Sequence, residues 1–136
     1  MKTRLPPNVY FHPDIRLMIF RHRGILDEER VNTIVAYIEK EEDLAEKPFN
    51  RFADLSKLDA IDLDFQFLFR ICLHRRLVYA HHPPVKSAFY VTSSAAVRVV
   101  RIHALMTDHS PLKVAMFEDL AQAAKWLGVP KERLEV

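Results

Sequence analysis

A chain of 136 residues supports one sizeable hydrophobic core and leaves little room for a second domain. With 49% hydrophobic and 28% charged residues it has the make-up of an ordinary globular protein, and a formal net charge of +2 supplies no electrostatic footprint for nucleic acid. Its single cysteine, Cys72, rules out an internal disulfide and with it the secreted disulfide scaffolds, so a reducing, cytoplasmic setting is expected.

Met1 to Asn8 carries Lys2 and Arg4 but no apolar run behind them, so no signal peptide is expected. Val9 to His12 and Ile15 to Arg23 are rich in β-branched and aromatic residues and read as two strands joined at Pro13-Asp14, the second ending at Gly24. Asp27 suits a helix N-cap, with Glu28 and Glu29 in the first turn. Val31, Ile34, Val35 and Ile38 share one helical face, while Glu39 to Asp43 are expected to stay solvated. Phe49 to Leu55 reads as a strand, followed by a polar turn over Ser56 to Asp59.

A second helix is expected to start at Asp62 or Asp64 and to run towards Ala80, where Pro83-Pro84 stops it. Its apolar stretch, Phe65 to Leu73, is broken by Arg70 and is far shorter than the roughly 20 residues of a membrane span. Val85 to Val91 is a further strand, and Thr92, Ser93 and Ser94 offer caps for a helix with Val97, Val100, Ala104 and Leu105 on one side. Leu112 to Phe117 is the last strand. Asp119 with Gln122 opens a final helix closed by Gly128 and Pro130, on which Ala123, Trp126 and Leu127 are expected to face inward. The order β-β-α-β-α-β-α-β-α predicts a single α/β domain, with a five-stranded, mixed but mostly parallel sheet and four helices.

Asp54-Leu55-Ser56-Lys57-Leu58-Asp59-Ala60-Ile61-Asp62 resembles the stretch that joins the third strand to the second helix in STAS domains of anti-sigma factor antagonists. Lys113 to Asp119, followed by Ala123, Ala124, Trp126 and Leu127, is similar to the closing strand and helix of the wider SpoIIAA-like group, whose fold has some relation to CRAL-TRIO lipid-binding domains. The resemblance implies a regulatory module that docks to a protein partner, such as a regulatory kinase or an anti-sigma-like protein. Where STAS regulators continue into a phosphoacceptor hydroxyl, this chain reads Asp62-Leu63-Asp64-Phe65, so no phosphoryl transfer is expected there. Asp64 then either caps the helix or supplies a permanent negative charge.

No catalytic constellation is legible, and the chain is expected to be non-enzymatic, without cofactor or metal. His81 and His82 are adjacent, so their side chains diverge on a helix, and His74, His103 and His109 lack ligand spacing. Cys72 has the helical phase of a core residue, and Ser93 and Ser94 lack the flanking glycines of a nucleophile elbow. Neither glycine opens a helix after a strand, which removes nucleotide-phosphate loops. Arg70, Arg75, Arg76, Arg98 and Arg101 suit an acidic partner or an anionic headgroup, or else solvated faces paired with acids.

Partner docking is expected at the carboxyl ends of the strands, on a rim of Asp54, Ser56, Asp62, Asp64, Thr92, Ser93 and Ser94, continued by Glu118 and Asp119. The partner is another protein or a second copy of the chain. A different reading makes the aromatic second helix, with Phe65, Phe67 and Phe69, the wall of an apolar-ligand or lipid pocket. An enclosed apolar cavity above roughly 300 Å³ would favour that carrier, and an exposed apolar patch would favour docking.

Overall fold

A computed structural model describes residues 8–45 and 48–135; most of the Met1 to Asn8 lead lies outside them. Strand β1 (Val9–His12) pairs antiparallel with β2 (Leu17–Arg21), the hairpin that Pro13-Asp14 indicates. The chain continues through β3 (Gly24–Asp27), α1 (Glu28–Ala45), β4 (Asn50–Asp54), β5 (Leu58–Asp62), α2 (Phe65–Val78), β6 (Val85–Tyr90), α3 (Ser94–Met106), β7 (Leu112–Phe117) and α4 (Leu120–Leu127). A turn of 3₁₀ helix (Lys131–Arg133) follows α4. The main sheet runs β1-β2-β4-β6-β7, with β2, β4, β6 and β7 mutually parallel, so it has the five-stranded, mostly parallel form and the four helices expected.

Two strands come in addition. Gly24 opens β3 rather than ending β2, at a φ of +73° that a side chain tolerates poorly. The polar turn narrows to Ser56 and Lys57, after which β5 pairs in parallel with β3 as a separate two-stranded sheet. Neither segment has a periodicity that stands out over four or five residues, and their pairing depends on α1 and β4 returning the chain to the same place.

The caps explain where the helices begin. Asp27 Oδ1 accepts from Arg30 N at 2.9 Å, Asp64 Oδ1 from Phe67 N at 2.7 Å, and Ser93 Oγ from Ala96 N at 3.2 Å. Asp119 Oδ1 accepts from Ala121 N at 2.7 Å and Gln122 N at 3.4 Å, and Gly128 closes α4 in the left-handed region.

One face of the sheet buries Met18, Phe20 and Ala53 against Ile38 of α1 and Val100 of α3. Tyr79, at the end of α2, packs there on Val85 and Leu112. The other face buries Leu17, Ile19, Phe52 and Ala88 under Ala123, Ala124 and Leu127 of α4. Trp126 is only half-buried, contrary to expectation: it lies at the edge of α4, with its ring 5.6 Å from Phe117 and Lys86 Nζ 5.3 Å above it. A helix of eight residues has one narrow inward stripe, and the two alanines with Leu127 fill it. Trp126→Ala is therefore expected to cost about 2 kcal/mol, less than the roughly 3 to 5 kcal/mol of a fully buried aromatic, as read from denaturant melts.

Candidate functional site

The parallel strands carry Asp54 and Tyr90 to neighbouring positions at their carboxyl ends, so the rim residues after β4 and β6 do converge. Most are already engaged in local structure. Asp54 is buried; its Oδ1 accepts from Ser56 N at 2.8 Å and Ser56 Oγ at 2.6 Å, and Oδ2 lies 4.0 Å from Arg21 Nη1. Asp64 and Ser93 cap their helices, and both are exposed, as are Asp62, Thr92 and Ser94. Thr92, Ser93 and Ser94 form, with Glu118, the head of a shallow surface groove that continues along α3 past Arg98 and Arg101 to Leu105.

Immediately beside Asp64, α2 turns large apolar side chains outward. Phe65 is 63% exposed and Phe69 47%, their rings 6.4 Å apart, and Leu73 and Leu77 continue the same stripe. The spacing of four explains it, since residues 65, 69, 73 and 77 lie nearly above one another on a helix. Phe67, Leu68 and Cys72 take the inward side. Among the described residues, Arg70, Arg98 and Arg101 form no ion pairs, so the expected acid partners are not there. Arg76 instead donates to the carbonyls of Met106 and Asp108 and ties the ends of α2 and α3 together.

Beneath α1, α2 and α3 lies a polar seam that the sequence patterns do not reveal. Glu42 is only 5% exposed, although its segment of α1 reads as solvated; it joins Arg51, 2% exposed, at 3.1 Å. Glu42 also accepts from Tyr79 Oη and from Phe49 N at 3.1 Å, and Tyr79 Oη accepts from Arg51 Nη2 at 3.0 Å. Arg75 is buried too, on the inward face of α2, rather than solvated with its neighbours. The polarity of these side chains hides them, because a buried charge and a surface charge look alike in a helical pattern.

Burial sets the protonation of this region. His103 is pushed down to about 3, mainly by burial and further by Arg75 and Arg51. His22, at the end of β2, is pushed down to about 4 by burial and by Arg30, with Asp54 opposing. Burial also raises the Cys72 thiol to about 11, so it is an inert core thiol rather than a nucleophile. Among the described residues no three His, Cys, Asp or Glu side chains gather in a metal-binding arrangement. No described helix is long and apolar enough to cross a membrane.

Beside α2 is a cavity of about 110 Å³, walled largely by aliphatic side chains of α1, α2 and α3 and reached by Arg75 and His103.

No family model matches the sequence, and no curated protein does. Among solved structures the chain is similar to an uncharacterized protein of the DUF3478 family with a SpoIIAA-like fold, from Shewanella loihica PV-4. The TM-score is 0.58 at 18% identity, over 93% of this chain and 98% of that one. The chain thus has a SpoIIAA-like fold, in line with the resemblance read from Asp54 to Asp62 and from its closing strand and helix.

Proposed function

We propose that this chain is a non-catalytic docking module of STAS type, which engages a protein partner where the carboxyl-end rim meets the start of α2. The observation that carries the reading is the exposed Phe65–Phe69 pair beside Asp62 and Asp64. Side chains of this size left in water are a standing incentive to bury area against a partner, and adjacent charges give such a contact its orientation. Exposed Asp62 and Asp64 just before the pair, and Arg70 lining the same surface hollow as Phe65 and Phe69, supply both signs. The carrier reading has less support, since 110 Å³ falls well short of the roughly 300 Å³ of a lipid-sized pocket. Asp64, with its Oδ1 committed to Phe67 N, serves as a fixed cap in place of a phosphoacceptor.

Phe65→Glu/Phe69→Glu tests this directly. Both side chains are exposed, so the melting temperature should move by no more than a degree or two, while a partner enriched with the native chain from its source cells should be lost at least tenfold. Unchanged enrichment by the double variant would remove the docking role of this face. Analytical ultracentrifugation of the purified chain separates a second copy from a foreign partner.

A further inference from the structure

We propose that the cavity beside α2 is a binding site for a small organic monocarboxylate with a compact apolar body, its carboxylate held by Arg75. Leu26, Ile34, Leu55, Leu68, Ile71 and Val100 give the cavity an aliphatic wall, and Arg75 and His103 line it as well. Arg75 is 9% exposed, and its Nε and Nη2 are buried without a hydrogen-bond partner among the described residues. His103 Nε2 is in the same condition. The buried carboxylate of the seam, Glu42, is already taken by Arg51, Tyr79 and Phe49, so one acid faces two buried guanidiniums. No carboxylate lines the cavity.

A guanidinium removed from water without a counter-charge is strongly disfavoured, and water alone would satisfy its N–H groups without supplying that charge. The other polar side chains at the cavity do not supply it either: burial keeps His22 and His103 neutral and Cys72 a thiol at neutral pH. Arg75 keeps its proton, since burial and Arg51 lower it only to about 10. One positive charge calls for one negative charge. A carboxylate matches the guanidinium fork, whereas a phosphate dianion would leave surplus charge against aliphatic walls. An apolar cavity of about 150 Å³ accepts benzene, with its six heavy atoms, so the roughly 110 Å³ here suits an acid of about four or five heavy atoms. That is the size of a regulatory effector, not of a lipid cargo.

The test is a thermal titration of the full chain with propanoate, propan-1-ol and sodium chloride at matched ionic strength. Saturating carboxylate, at about a hundredfold excess over Kd, should raise the melting temperature by about 8 °C, with the alcohol and chloride raising it by no more than a degree. Arg75→Met should melt cooperatively and lose the response. An equal shift with the alcohol or with chloride, no saturable shift with the acid, or an undiminished shift in Arg75→Met would each overturn the proposal. If Arg75→Met does not fold, the contrast between acid and alcohol in the native chain decides the matter.

Discussion

Acidification from pH 6.5 to pH 4 is expected to remove roughly 6 kcal/mol of folding stability, through His22 and His103 alone. Their folded-state values, about 4 and about 3, lie below the ordinary 6.5, so in this window the unfolded chain binds protons that the folded chain refuses. The stability is complete above pH 6.5 and is lost as the pH falls towards the folded values. His22 stacks on Phe20 at 6.0 Å and faces Arg30 and Asp54; His103 meets Phe89 edge-on at 5.7 Å and faces Arg75 and Arg51. Each imidazole is therefore held neutral by desolvation and by nearby guanidinium charge. Against a total of roughly 5 to 15 kcal/mol for a domain, the loss is enough to unfold the chain near pH 4. Urea melts at half-unit pH intervals measure the slope, and His103→Gln should roughly halve it. A stability flat between pH 6.5 and 4.5 would contradict the burial assigned to both rings.

The second large effect is at Glu42. Glu42→Ala should cost about 3 to 5 kcal/mol, because it removes the acceptor of Arg51, Tyr79 and Phe49 at once and leaves two buried guanidiniums facing each other's field. Glu42→Gln retains an acceptor but not the charge and should fall between the two. The charge itself is separable from the packing. Glu42→Leu/Arg51→Met replaces the pair with apolar volume and should recover only the part of the loss due to the unpaired Arg51, since Phe49 N and Tyr79 Oη still lack their acceptor. If Glu42→Ala costs less than about 1 kcal/mol in a denaturant melt, the seam is hydrated rather than dry.

The strands of the main sheet and the four helices were legible because each rests on a local signal. Asp27, Asp64, Ser93 and Asp119 mark helix starts by their side-chain oxygens, Gly128 marks an end by its left-handed backbone, and Pro83-Pro84 marks a stop. The small β3–β5 sheet was not legible, since two short segments far apart in sequence pair only after α1 and β4 have formed. The inward arrangement of α2 was half legible. Cys72 reads as core from its neighbours, but Arg75 reads as surface because nothing local says that its turn faces α1 and α3. Of the rim, Asp54 and Ser93 carry oxygens whose hydrogen-bond partners lie within three residues, so tertiary structure adds the burial of Asp54, its approach to Arg21 and the convergence of the strand ends.

Composition, caps and alternation thus determined the class of fold and the order of its parts, because those signals act over a few residues and do not depend on what packs against them. Tertiary structure alone decided which charges are dry. Glu42, Arg51, Arg75 and His103 come from three helices and a strand, and their burial, pairing and shared shortage of acceptors exist only once those elements close over the sheet.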